Sequence, residues 1–318
     1  MTGYDSGRDD LARARPAGLA LTRWRAPDGW ALRRFALAPA QDARPRGTLL
    51  FLGGRGDFIE KYLESYAHFR RAGWRVHGFD WRGQGESGRL SEHQALGHAD
   101  DFTPLVDDLA AIARELRAEA KGPCVAIGHS MGGHLLLRYL ARPAPVFDAA
   151  VLVAPMLGFA KAPPPGIARL VAAGACTIGL AHKRAWSEGE RPGDTRRQLS
   201  LTTSRERYAD EMWWRAANEA LALGPPSWGW LRAALASNAA LDRPGTLEQV
   251  RVPILLLAAA NDRLVSGAAI ARAAARLPDA RLETFPEGAH ELLREVDPIR
   301  DRALGLIDAF FDARAVAQ

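Results

Sequence analysis

AIGHSMGGHL, residues 126–135, sets one serine between glycines at the end of an apolar run. The five residues from Gly128 to Gly132 match G-x-S-x-G, in which a nucleophilic serine stands on a sharp strand-to-helix turn. Bulky side chains two positions to either side of such a turn would collide, and the two glycines remove the collisions. Ser130 also fits a plainer role, as the N-cap of the helix that follows. Glycine and serine are common residues, so the motif alone does not choose between the two roles.

The neighbouring periodicity narrows the choice. Residues 124–129 read as a strand and 131–141 as a helix, so Ser130 falls at the junction that the nucleophile turn requires. Upstream, 30–38, 48–53 and 74–80 read as strands, with helical patterns over 58–72 and 104–120. Downstream, 149–154, 254–259 and 281–285 read as strands, with helices over 266–277 and from about 298 to 315. Such alternation predicts an α/β fold, a mostly parallel central sheet with helices on both faces. The rhythm stops between about 157 and 243, a largely helical stretch that opens on a proline-rich turn and holds five of the nine tryptophans. The expected organisation is a loosely ordered lead-in over 1–20, a core of 21–156 and 244–318, and a helical cap inserted at 157–243.

A serine nucleophile needs a base and an acid that orients it, in this fold class in the order Ser, acid, His. Asp262 follows the strand at 254–259, and His290 lies in a loop after the strand at 281–285. Both occupy carboxyl ends of strands, where open α/β sheets place their sites. Plainer roles exist for each, Asp262 as a helix cap and His290 as a solvent-facing loop residue, but three roles filled in the required order are a poor coincidence. The oxyanion of the tetrahedral intermediate needs about two backbone N–H donors. Met131 supplies one, and the glycine-rich loop at 53–57 supplies the other, by position Arg55. Gly54, His129, Trp213, Trp214 and Trp228 are the expected substrate-binding residues, although Trp213 and Trp214 also suit packing between cap helices.

Composition excludes several classes. The 318 residues are 47% hydrophobic and 25% charged, with a net charge of +5 and a pI near 9.5. That excess is small and spread along the chain, and no basic block interleaved with aromatics suggests nucleic acid. Cys124 and Cys176 make no disulfide framework and read as free buried thiols. The first residues lack the basic-then-apolar pattern of a signal peptide, and no apolar run reaches the ~18 residues of a membrane span, so a cytoplasmic location is expected. The nearest run, 166–181, is interrupted by Arg169 and reads as an ordinary buried cap helix, with peripheral contact at a bilayer interface as the alternative. No cluster of His, Cys and carboxylates at metal-ligand spacing is visible, so neither metal nor cofactor is expected.

The chain resembles the serine α/β-hydrolases of the monoacylglycerol lipase and bacterial lysophospholipase type over about 22–312. The resemblance rests on GGRGDFIEKY at 53–62, FDWRGQGES at 79–87 and GHSMGG at 128–133. It continues in LTTSRERY at 201–208, GPPSWGWL at 224–231, Asn261-Asp262 and GAHEL at 288–292. It implies hydrolysis of a single acyl ester through an acyl-serine intermediate without a cofactor, with a small lipid or ester as partner and Ser130, Asp262 and His290 as the triad. Many members carry His-Gly where this chain has Gly53-Gly54. Two rivals share the fold. One is a proline-iminopeptidase-like peptidase, whose substrate amine would need acids such as Glu188, Glu190, Glu206, Asp210 or Glu211; the other is a non-catalytic ligand-binding module. Epoxide hydrolases and dehalogenases require a carboxylate where Ser130 stands.

Overall fold

Eight strands build one sheet in the order β1-β2-β4-β3-β5-β6-β7-β8. The structure, a computed structural model, describes residues 11–93, 96–186 and 195–315. The strands are β1 (Ala20–Arg25), β2 (Ala31–Leu37), β3 (Gly47–Leu52), β4 (Trp74–Phe79), β5 (Cys124–His129), β6 (Ala149–Val153), β7 (Ile254–Ala259) and β8 (Ala280–Phe285). From β4 onward across the sheet every pairing is parallel, while β1, β2 and β4 pair antiparallel at one edge. β5 and β6 are buried along their whole length, as expected of leucine- and valine-rich strands covered on both faces.

Helices α1 (Leu63–Arg71), α2 (Thr103–Glu119), α3 (Met131–Leu140), α8 (Gly267–Arg276) and α9 (Asp297–Arg314) cover the sheet. Two apolar clusters form, one on each face: Leu50, Ala126 and Leu152 point into the first, and Phe51, Ile127 and Val151 into the second. Between β6 and β7 run α4 (Pro165–Ala175), α5 (Thr195–Leu201), α6 (Arg205–Ala217) and α7 (Trp228–Asp242).

Four expectations change. β1 is a regular strand that the sequence reading left out, because Ala20–Arg25 is exposed or half-exposed along its length and carries little apolar signal. The part of the lead-in that is described is held in place. Ala12 is buried and its carbonyl accepts from Trp214 Nε1, while Arg13 and Arg15 reach Asp210 and Glu60, each at 2.7 Å. Residues 1–10 lie outside the described residues. Cys124 is buried, but Cys176 is only half-buried; both are free thiols. Finally, α4 is not a buried helix, since Ala172 is its sole buried residue.

Candidate active site

The carboxyl ends of β3, β5, β7 and β8 converge on one point. Ser130 follows β5 with φ 51° and ψ −116°, a combination that ordinary L-residues avoid and that costs roughly 1–3 kcal/mol. The turn is held because the Ser130 amide donates to Val153 O, and Ser130 O accepts from His134 N and Met156 N. A Cβ at Gly128 would stand 2.8 Å from Gly132 O, which is why the motif needs glycine there. Ser130 occupies the N-cap position of α3, but its side chain makes no capping hydrogen bond. Its Oγ lies instead 2.9 Å from His290 Nε2.

His290 is buried, and its Nδ1 is 2.7 Å from Asp262 Oδ2. The other Asp262 oxygen, Oδ1, accepts from the amides of Leu264 and Val265 at 2.8 and 2.9 Å. The helix-cap role falls to Ser266, which N-caps α8; Asp262 Oδ1 closes the short turn before it while Oδ2 faces His290. Burial opposes charge on both groups, yet each is stabilised by the other. Asp262 is drawn below the usual carboxylate value by His290 and the two amides. Asp262 and the hydrogen bond to it hold the His290 imidazole above its ordinary 6.5.

A second buried assembly stands behind this line. Asp57 Oδ2 accepts from Gly54 N at 2.5 Å and Tyr62 OH at 2.9 Å and lies 3.1 Å from His129 Nδ1, while Oδ1 takes Lys61 Nζ at 2.6 Å. Lys61 also meets Glu291 at 2.6 Å and Glu211 of α6 at 3.1 Å, and Arg294 bridges the same two glutamates. Burial raises the cost of every charge here, but Lys61 and His129 hold Asp57 well below its usual range. The three carboxylates in turn keep Lys61 charged. The assembly ties the glycine loop after β3 to the residue next to His290. A Cβ at Gly53 would lie 2.8 Å from Asp57 Cβ, so this loop leaves no room for a side chain there. Breaking a buried ion pair strands its partner, so Asp57→Ala is expected to cost about 3–5 kcal/mol in urea unfolding. A loss under about 1 kcal/mol would show that the assembly contributes little.

These groups face a cavity of about 820 Å³. His129, Ser130 and His290 line it, with Trp228, Trp230, Phe159, Leu235 and Val265 among its apolar walls. Seven basic side chains also reach it, Arg55, Lys61, Lys161, Arg196, Arg197, Arg215 and Arg263. The acids among the described lining are Asp57 and Glu291, both paired with Lys61.

The expected binding residues divide accordingly. Trp228 and His129 line the cavity. Gly54 is pressed against Ser130, where a Cβ would lie 2.9 Å from Ser130 Cβ. Trp213 and Trp214 do not line the cavity. Trp214 is buried against the lead-in and the second core cluster, and Trp213 packs edge-on against it with 42% of its surface exposed. Met131 is the first residue of α3, and the Arg55 guanidinium bonds Gly224 O and lies 5.3 Å from the Trp230 ring centroid. Trp230, Asp57 and Lys61 were not singled out as site residues. The last two stand inside the GGRGDFIEKY stretch, but only the fold shows that Lys61 meets Glu211 and Glu291 from far along the chain.

Fold and site together define the class, an α/β-hydrolase with Ser130, His290 and Asp262 aligned at the carboxyl edge of its sheet. A family model described as serine aminopeptidase, S33, matches residues 43–297, and the chain belongs to that family. Lysophospholipase L2 of Escherichia coli (strain K12) is 33% identical over 274 residues, covering 81% of this chain and 78% of that protein. Probable lysophospholipase L2 of Haemophilus influenzae is 27% identical over 273 residues, 85% of each chain. Among solved structures, a soluble variant of monoglyceride lipase from Saccharomyces cerevisiae, in complex with a substrate analog, superposes with a TM-score of 0.75. It shares 13% identity, covering 95% of this chain and 98% of that one. A carboxyl esterase from Bacillus coagulans gives 0.73 at 16% identity, over 95% of this chain and 100% of that one.

Proposed function

We propose that the protein hydrolyses the acyl ester of lysophospholipids or monoacylglycerols, with Ser130 as nucleophile, His290 as general base and Asp262 as its orienting acid. The observation that supports this most is the hydrogen-bonded line from Ser130 through His290 to Asp262, opening on an apolar-walled cavity. Ser130 Oγ attacks the ester carbonyl as His290 Nε2 takes its proton, and Asp262 stabilises the resulting imidazolium. The backbone amides of Met131 and Arg55 donate to the oxyanion. The alcohol leaves with the proton from Nε2; a water deprotonated by His290 then attacks the acyl-serine, releasing the fatty acid and restoring Ser130. Residues 157–243 act as a cap over the acyl-binding cavity.

The charge around the cavity favours this over the peptidase reading. An aminopeptidase must hold a substrate ammonium with free acids, and Asp210 and Glu211 are instead committed to Arg13 and to Lys61 and Arg294. Glu188 and Glu190 lie outside the described residues. Of the seven basic side chains around the cavity, Lys61 and Arg215 are paired with acids, and the excess of positive charge over Asp57 and Glu291 suits a phosphate-bearing headgroup better than an amine. A pure binding module would have no use for a base–acid relay. Measuring kcat/KM over lysophospholipids, monoacylglycerols, p-nitrophenyl butyrate and prolyl p-nitroanilide tests the reading; faster turnover of the anilide than of every ester would overturn it.

Peripheral membrane contact belongs to the same proposal. Leu170 and Ile178 are each 74% exposed, beside Ile167 and Val171, on the arm formed by α4 and the turn after it. Residues 159–186 contain Lys161, Arg169, Lys183 and Arg184 and no acid. An apolar face with basic flanks matches anionic bilayer surfaces. No helix among the described residues is long and apolar enough to cross a membrane. Leu170→Asp with Ile178→Asp is expected to abolish co-sedimentation with phosphatidylglycerol vesicles; unchanged sedimentation would refute the contact.

A further inference from the structure

A group of side chains outside the reaction site converges as metal ligands do. The loop after β4 carries His98 and Asp100, and the turn that ends the α4 arm carries His182. One ligating atom from each lies within 4.8 Å of the other two. His98 is buried and rigidly held. Its Nδ1 is 2.7 Å from Ser227 Oγ, the residue that N-caps α7, and the backbone of Gly229 is packed so closely on the ring that a Cβ there would stand 2.6 Å from it. The opposite nitrogen, Nε2, is closed to solvent and has no hydrogen-bond partner.

That nitrogen stands 3.3 Å from Asp100 Oδ2, an ion-pair distance without the alignment of a hydrogen bond. Two ligands of a tetrahedral ion with bonds of about 2.0–2.2 Å are separated by about 3.3–3.5 Å, so the spacing is that of two ligands sharing one ion. The His182 ring stacks on His98 with centroids 4.0 Å apart and planes 27° apart. His182 is exposed, and one of its ring nitrogens already lies within 4.8 Å of the ligating atoms of His98 and Asp100. Arg232, the nearby cation, lies 3.7 Å from the other Asp100 oxygen, Oδ1. A hydroxyl fixing the non-ligating nitrogen of a histidine is the usual outer support of a metal site, and Ser227 supplies it.

We propose that His98 Nε2, Asp100 and His182 bind one divalent transition-metal ion of the zinc type, leaving a position for water, and that the ion staples the end of the α4 arm to the core. Two imidazoles and a carboxylate suit zinc, copper or nickel far better than calcium or magnesium. The consequence reaches the cavity. Ala181 O and Lys183 O, on either side of His182, accept from Gly229 N and Trp228 N, and Trp228 is a cavity wall. Ester hydrolysis by Ser130 needs no ion there, so the proposal stands or falls independently of that reaction.

Equilibrium dialysis of the full chain, stripped with chelator and titrated with ZnCl2, provides the test. His182→Ala and Asp100→Asn change exposed side chains, so both variants keep the fold and, in chelator, wild-type turnover of p-nitrophenyl butyrate. Wild type is expected to bind one zinc ion that each variant binds at least about tenfold more weakly. Zinc is also expected to raise the Tm of the wild type more than that of either variant. Equal zinc affinity and stoichiometry in all three proteins, which would place any ion elsewhere, overturns the proposal; so does a wild type that takes up no zinc.

Discussion

Ser130→Ala is expected to lower kcat for p-nitrophenyl butyrate by roughly 10⁶-fold, the scale on which loss of a triad nucleophile acts in other serine hydrolases. The Oγ is the atom that His290 Nε2 faces at 2.9 Å, and among the described residues no other hydroxyl stands at the end of that line. Alanine keeps the strained φ of 51° and is expected to leave the fold intact. Ser130→Gly should be equally inactive but more stable than the alanine variant by about 1 kcal/mol, because only glycine occupies positive φ without penalty. That contrast separates chemistry from structure. A wild-type rate in either variant would remove Ser130 from the reaction, and equal stability of the two would show that the turn is unstrained.

Asp262→Asn should cost about 10⁴-fold in kcat, as the equivalent change does in another serine hydrolase. The reason lies in how the carboxylate is held. Asp262 Oδ1 already accepts two amides, from Leu264 and Val265. The asparagine carbonyl must take that place, which turns its NH₂ toward His290 Nδ1. Nδ1 then accepts, Nε2 carries the proton, and the base that faces Ser130 can no longer take one. The pH profile gives a second readout. His290 acts as base only when neutral, so wild-type kcat/KM rises with pH through a value above 6.5, where Asp262 holds it. With the carboxylate charge gone, the acid limb of the residual activity should move to lower pH. An asparagine variant with the wild-type rate, or an acid limb that stays in place, would contradict the role given to Asp262.

How much of this was legible in the residues differs from element to element. The strands on either side of Ser130 are continuous apolar runs because both their faces are covered, and their boundaries came within a residue or two of the observed ones. β1 has neither a buried face nor an apolar run, so nothing in its composition marked it. Ser130, Asp262 and His290 could be picked out because each follows a strand and their chain order is restricted. Trp213 and Trp214 could not be assigned, since a tryptophan pair on a helix looks the same whether it lines a cavity or packs inward. The same limit applies to α4, whose apolar residues read as burial and are exposed.

What the sequence determined by itself was therefore local and periodic: the α/β alternation, the glycine clearance around Ser130, and the chain order of Ser130, Asp262 and His290, each after a strand. These depend on steric and hydrophobic rules that act over a few residues. Only the tertiary structure decided which distant side chains meet. Lys61 meets Glu211 and Glu291 from 150 and 230 positions away, and His182 reaches His98 across 84. Electrostatic interactions depend on distance in space and on the exclusion of water. Neither quantity exists until β3 and β5 through β8 lie in one sheet and a helix between β6 and β7 brings Glu211 to Lys61.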